Sequence, residues 1–315
     1  MNKKITLVGK LILFVLLITT ISCSSDDDEI REEIVEELSG ENSIISFEIA
    51  AGVLKVNADI NEAGNSINQR LLPDTDLTSL DTKVVISENA SISPNPETIN
   101  DYTKPVTFTV TAENGNTKEY IVTFGIMDEN YAAQCDVNDA SKWFGGDDRE
   151  SPDNPLIEPR NVGTGQTIRL VKDLYPTSFG VYFRGGFRFS SIGRLYKEDV
   201  ELKLNIRNAD GSILASTTTL VEGSFEGGWV DFDLSSLNLL LKNNTDYYFT
   251  WYLIDGESLA VTTGSTGNTE QIIDGIHNGP GYSGQSRKKD GTSLEDWDTW
   301  FEHSWYFNFR IEGKQ

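Results

Sequence analysis

The stretch FTVTAENGNTKEYIVTF, residues 108–124, contains two runs of alternating apolar and polar residues on either side of Glu113-Asn114-Gly115-Asn116. Period-two alternation puts successive side chains on opposite faces of a strand. Asn-Gly between two such runs predicts a hairpin, because a type I′ turn needs positive φ at both central residues. Working outward, Ile45-Ser46-Phe47-Glu48-Ile49 also alternates, Val53-Leu54-Lys55-Val56 follows Gly52, and residues 83–87 (KVVIS) are rich in β-branched side chains. Residues 43–126 therefore read as a small antiparallel sandwich. They hold no cluster of His, Cys or acids suited to chemistry.

Past Gly125 the composition changes. Residues 127–161 are rich in Asp, Asn, Pro and Gly and read as a link merging into the irregular start of a second domain. Strand-like runs then recur at 167–171, 180–183, 200–207, 213–221, 230–234, 247–254 and 303–311. Turn residues such as Asn208-Ala209-Asp210-Gly211, Glu226-Gly227-Gly228 and Lys242-Asn243-Asn244 separate them. Many short strands with no amphipathic helix between them point to a sandwich or jelly roll and away from an α/β fold. In 200–207 the alternation assigns Val200, Leu202, Leu204 and Ile206 to the core and Lys203, Asn205 and Arg207 to the other face. Residues 247–254 are apolar on both faces, as in a central strand. In 303–311, His303, Trp305, Phe307, Phe309 and Ile311 are expected in the core, with Tyr306, Asn308 and Arg310 opposite.

Residues 1–22 read as a targeting segment. Lys3 and Lys4 precede the apolar run 11–18 (LILFVLLI), which is shorter than the about 20 residues of a membrane-spanning helix and suits a signal peptide. Thr20-Ile21-Ser22-Cys23 resembles the lipobox of bacterial lipoproteins, with Thr20 where Leu is commonest, and the resemblance implies a diacylated Cys23. Ordinary cleavage near Ser22, leaving Cys23 a free thiol, is the alternative. Residues 24–42 hold nine acids and one base, Arg31, so 23–42 reads as a self-repelling acidic tether. Ile30, Ile34 and Leu38 in it would share one side of a short helix. Its Ser-Ser-Asp-Asp-Asp-Glu run resembles the signal that exports lipoproteins of polysaccharide-degrading Gram-negative bacteria to the outer face of the outer membrane.

Leu77-Thr78-Ser79-Leu80, the run VVISENASISP at 84–94, Asp101-Tyr102-Thr103-Lys104-Pro105-Val106 and the hairpin at 108–124 together resemble the Ig-like spacer domains of surface lipoproteins in glycan-utilisation systems. The resemblance implies an Ig-like stalk over 43–126 that holds a distal module off the membrane, a role by architecture alone. Residues 282–313 resemble the closing strands of extracellular jelly-roll modules, many of which bind carbohydrate. The expected fold is thus all-β, an Ig-like sandwich followed by a jelly-roll β-sandwich over 127–315.

Residues 265–300 form a long Gly-rich segment, with Tyr282 to Arg287 readable as a penultimate strand turning at Asp290-Gly291. It carries His277, Tyr282, Arg287, Lys288, Lys289, Trp297 and Trp300. Sugar recognition stacks exposed aromatics on the apolar face of a pyranose and bonds its hydroxyls with neighbouring polar groups. Trp297, Trp300, Tyr282, His277 and Arg287 are the first candidates for such a site, and the face bearing Tyr248, Tyr252, Tyr306 and Arg310 is the alternative. The alternative is that both tryptophans cap the sandwich core, where large aromatics usually lie.

Of 315 residues 49 are acidic and 26 basic, a formal charge of −23 that disfavours nucleic acid as a partner. Two cysteines build neither a disulfide framework nor a thiolate zinc site, and Cys135 reads as a buried, unpaired thiol. No GxSxG, HExxH, P-loop or GxGxxG motif is present. Asp296, Asp298 and Glu302 would share a face if extended, without the spacing of a jelly-roll glycosidase. No cofactor is expected, although loop acids such as Asp147, Asp148 and Asp153 offer oxygens for a structural calcium. The expectation is a non-catalytic, lipid-anchored lipoprotein of the outer-membrane surface, with glycan as partner and a place in a glycan-uptake or adhesion complex. An adhesion lipoprotein contacting protein, or less favoured a glycan-active hydrolase, are the rival readings.

Overall fold

Strands dominate the computed structural model, which describes residues 37–51, 54–135, 142–146, 160–183, 199–255, 259–263, 271–287, 291–303 and 306–315. Cys23, most of the acidic tether, Asp147, Asp148, Asp153, Lys288 and Lys289 lie outside these residues, and only the backbone of Arg287 is described. No helix among the described residues is long and apolar enough to cross a membrane.

The chain is all-β. Its first eight strands are β1 (Ile44–Ala51), β2 (Leu54–Asn57), β3 (Asp59–Asn61), β4 (Ser66–Leu71), β5 (Asp81–Ile86), β6 (Ser91–Ser93), β7 (Val106–Thr111) and β8 (Thr117–Ile126). They form two sheets, β2-β1-β5 and β3-β4-β8-β7-β6, with β4 parallel to β8. Phe47, Phe108, Tyr120 and Val122 fill the core between them. The hairpin predicted at Asn114-Gly115 forms, but its turn differs from the expectation. Gly115 has φ +89° while Asn114 is not at positive φ, and Ala112 N–H donates to the Asn116 carbonyl at 2.8 Å. A loop that ends on a single left-handed glycine fits this arrangement and does not require the type I′ turn. A register shift between Ile44 and Ser46 corrects a second expectation, because the extra residue turns Ile45 outward, 62% exposed, while Ile44 and Phe47 are buried.

The remaining strands are β9 (Asn130–Gln134), β10 (Lys142–Gly146), β11 (Arg160–Leu170), β12 (Tyr175–Phe183), β13 (Val200–Arg207), β14 (Ile213–Val221), β15 (Gly228–Asp233), β16 (Asp246–Asp255), β17 (Leu259–Thr263), β18 (Gln271–Ile273), β19 (Ile276–Arg287), β20 (Trp300–His303) and β21 (Phe309–Lys314). One sheet runs β10-β17-β12-β21-β9 with β15 beside β12. The other runs β14-β13-β16-β11-β19, with β18 and β20 both paired to β19. Phe179 packs against Phe249 from the facing sheet at 4.6 Å between ring centres, within a core that includes Ile168, Leu204, Trp251 and Phe309. Each fully buried side chain of this kind contributes roughly 1.5 to 3 kcal/mol.

The expected link at 127–161 contains strands β9 and β10, and β9 closes one edge of a sheet against β21. The single strand expected at 303–311 is instead two, since β20 belongs to one sheet and β21 to the other. Gln166, fully buried, holds the crossing: its Oε1 accepts the Phe307 N–H at 2.8 Å and its amide donates to the Gly279 carbonyl. Because the backbone changes sheets here, Tyr306 and Asn308 are buried together with Phe307 and do not face away from it.

Val56, Leu72, Met127, Tyr175 and Leu240 form a separate buried cluster that draws on both sandwiches. Beside it the Lys242 ammonium donates to Asp59 at 3.0 Å, Gln69 at 2.8 Å and Asp173 at 2.7 Å. Burial alone would lower the Lys242 pKa, but the hydrogen bonds to Asp173 and Asp59 outweigh it and hold it above its ordinary value.

Candidate functional site

In β16, Tyr247, Phe249, Trp251 and Leu253 point into the core, so Tyr248, Thr250 and Tyr252 lie on the outer face of the seven-stranded sheet. The register brings Thr167 of β11 beside Tyr248, and Gly165 beside both Thr250 and Tyr282. Two residues along β11, about 7 Å away, Arg169 lies between Asp246 and His277 and forms a bidentate pair with Asp246, both contacts at 2.7 Å.

Over this face folds the segment 291–300, a strap that ends in a single 3-10 turn, Trp297–Thr299. Two glycines make room for it. Gly163 and Gly284 are direct cross-strand neighbours, and the Trp300 indole lies on both of them. A Cβ at Gly163 would collide with the ring, and one at Gly284 would sit 2.7 Å from it and 2.8 Å from Leu294. Trp300 is 7% exposed, and its Nε1–H donates to the Leu294 carbonyl at 3.0 Å. Trp297 is half-buried and stacks on Tyr248 with ring centres 4.8 Å apart and planes 7° from parallel. Tyr282 completes the group, 4.9 Å from Tyr248 and 5.2 Å from Trp297. Burial raises the Tyr282 pKa, with Tyr248 and Glu302 adding to it.

The strap is pinned from below by β13. The Glu295 carboxylate accepts from Lys203 at 2.6 Å, from Asn205 at 3.2 Å and from the Tyr252 hydroxyl. Burial alone would raise the Glu295 pKa, but the bonds from Lys203 and Tyr252 prevail and hold it below the usual glutamate value. Tyr252 is pushed up, first by burial and then by this carboxylate. A glutamate held ionised by three donors is ill suited to give up a proton. Asp296 and Asp298 flank the first position of the 3-10 turn, so the extended arrangement that would align them with Glu302 is not formed. Among the described residues no group of three or more His, Cys, Asp or Glu is placed to hold a metal.

Trp297, Trp300 and Tyr282 are thus brought together, and Tyr248 and Tyr252 of the alternative face join them in one cluster. His277 shares the sheet face farther along β19, while Arg287 ends that strand. The alternative face does not hold as a group. Tyr306 is buried at the sheet crossing, and Arg310 lies on the six-stranded sheet, where it pairs with Asp231 and sits 5.0 Å over the Trp229 ring. Tyr182 and Trp229 form a second aromatic pair there, at 5.2 Å and 72°. Sequence reasoning missed Arg207, Lys203, Asn205 and Glu295. Alternation places Lys203, Asn205 and Arg207 on a solvent face and gives no signal of the layer that covers it. Cys135 is a buried free thiol, its pKa pushed up to about 11 by burial.

No curated protein matches the chain. A solved Bacteroides fragilis protein, provisionally described as secreted, is 15% identical, with 27% of this chain and 95% of that one covered and a TM-score of 0.22. A Bacteroides thetaiotaomicron protein, provisionally described as a glycoside hydrolase, is 15% identical over 89% of this chain and 97% of its own, with a TM-score of 0.28. A structure of carbohydrate-binding modules from the β-sandwich superfamily is 9% identical over 76% of this chain and 87% of its own, at 0.22. Likeness at this level carries no inference about function. The N-terminal sandwich, over residues 44–124, matches the family described as SGBP, N-terminal.

Proposed function

We propose that this chain is a surface glycan-binding lipoprotein. In this reading residues 43–126 are the spacer, 127–315 bind glycan without catalysing its cleavage, and Cys23 carries the acyl chains at the outer-membrane surface. The observation that carries the reading is the half-buried group of Tyr248, Trp297 and Tyr282 on the outer sheet face, bordered by Glu302, His277 and the Arg169–Asp246 pair. Aromatic edges and faces supply apolar contact for pyranose rings, and the border supplies hydroxyl partners. The N-terminal match to a surface glycan-binding protein family supports the same role.

The test is gel retardation of the full chain in a panel of soluble polysaccharides: a mixed-linkage β-glucan, xylan, galactomannan, starch and a polyuronate. Retardation by at least one is expected, and mobility equal to a non-binding control in all of them counts against the reading. For the anchor, Cys23→Ala should move the protein from the membrane to the soluble fraction, because two acyl chains make attachment stable. Membrane retention at the wild-type level would contradict acylation.

A further inference from the structure

The outward residues of β13 recur at every second position as Lys203, Asn205 and Arg207, and all three reach the strap at Glu295. Arg207 lies deepest, 1% exposed. Its Nη2 donates to the Leu294 carbonyl at 2.8 Å, and its Nη1 to the carbonyls of Glu295 at 3.0 Å and Gly211 at 2.9 Å. Its Nε donates to Thr250 Oγ1 at 3.2 Å. The guanidinium carbon is 5.6 Å from the Trp297 ring centre and 5.9 Å from that of Trp300.

No carboxylate among the described residues bonds this guanidinium directly; its acceptors are three carbonyls and a hydroxyl. Burial lowers its pKa, and the nearby Glu295 only opposes that. A buried charge of this kind is costly, and an apolar side chain of similar volume would fill the space at lower cost. A planar fork of five donors does something an apolar residue cannot, which is to fix several separate carbonyls at once. Those carbonyls belong to two places that define where Trp297 sits. Leu294 and Glu295 lie in the strap that carries Trp297. Gly211, at φ +84°, is the floor against which its ring rests, with no room for a Cβ.

We infer that Arg207 is the positioning residue of the glycan site, setting the Trp297 ring against Tyr248; the inference rests on the reading that this face binds glycan. Lys203, Asn205 and Tyr252 hold the strap at Glu295, and Arg207 joins strap and floor.

The experiment compares the full-length wild type with Arg207→Lys, Glu295→Gln and Trp297→Ala. The readouts are near-ultraviolet circular dichroism, acrylamide quenching of tryptophan, and retardation in whichever panel polysaccharide retards the wild type most. Arg207→Lys keeps the charge and loses the fork. It should still unfold cooperatively, show the near-ultraviolet change of Trp297→Ala, and bind about fivefold to tenfold more weakly, the loss expected for one displaced aromatic contact. Glu295→Gln, at the partly exposed rim, should show the same change to a smaller degree. Wild-type spectrum, quenching and affinity in Arg207→Lys overturn the positioning role. If Arg207→Lys does not fold, Arg207→Gln, which keeps a donor but loses the fork, is read in its place, and wild-type spectrum, quenching and affinity there overturn the positioning role. Wild-type affinity in Trp297→Ala would remove the glycan reading, while the spectral comparison still tests the placement of the ring.

Discussion

Replacing Trp300 by alanine tests the packing of the strap. The indole is buried against Gly163, Gly284 and Leu294, and its N–H is committed to the Leu294 carbonyl. Truncating a buried tryptophan costs roughly 3 to 5 kcal/mol. Two details place this site near the lower end, about 3 kcal/mol. The Leu294 carbonyl keeps a second donor in Arg207, so loss of the indole bond does not strand it. The strap is also a single layer over the sheet, able to settle partway into the space left. For a domain of this size, each kcal/mol shifts the melting temperature by about 2 to 4 °C, so a fall of roughly 6 to 12 °C is expected. Urea denaturation followed by far-ultraviolet circular dichroism gives the free energy, and the m-value should stay unchanged. A loss below about 1 kcal/mol at unchanged m would mean that the ring is not seated on the glycine pair, and the assignment of Trp300 to packing would fall with it.

Other consequences can be checked separately. Gly284→Val, which places side-chain atoms where the Trp300 ring and Leu294 now lie, should destabilise by about 1 to 3 kcal/mol through overpacking, and a neutral urea midpoint would show that the strap is not held there. The Glu295 carboxyl is held below its ordinary value, so its contribution is fully present above the unfolded pKa of about 4.3 and lost as pH falls through the lower folded value. The stability gap between wild type and Glu295→Gln should therefore be present at pH 6 and vanish at low pH; a gap that persists at pH 2 contradicts the assignment. We also propose that residues 43–126 and 128–315 fold separately, so each fragment should show its own cooperative thermal transition, and a fragment without one would put the boundary elsewhere. Lys242→Ala, which removes the ammonium shared by Asp59, Gln69 and Asp173, should separate the two transitions in the full chain further; a scan superimposable on wild type would show that Lys242 does not couple them.

Alternation carried most of the architecture. Where one parity was apolar and the other polar, as in Val200 to Arg207, the apolar face read from sequence is the one that packs in the sandwich core, although Asn205 and Arg207 on the opposite face are buried as well. The strand 247–254, apolar on both faces, is central as read, and the reading failed where alternation continues through a change of sheet. Around Tyr306-Phe307-Asn308 the pattern does not mark where the chain leaves one sheet for the other, because that step depends on Gln166, distant in sequence. The site shows the same limit. Trp297, Trp300 and Tyr282 were legible as candidates from residue type and the long glycine-rich segment. Their union with Tyr248 and Tyr252 depends on a strap folding back over β16, which no local pattern encodes. Arg207 reads as a solvated strand residue by alternation, yet it is buried because a second layer covers that face.

The most direct test of the central claim is to measure polysaccharide affinity for two variants altered on opposite sheets: Tyr248→Ala with Trp297→Ala on the seven-stranded sheet, and Trp229→Ala on the six-stranded one. A loss of roughly tenfold or more is expected for the Tyr248/Trp297 pair, as two aromatic contacts are removed, and wild-type affinity for Trp229→Ala. Loss of binding in Trp229→Ala with wild-type affinity in the pair would place the glycan on the other sheet and contradict the claim.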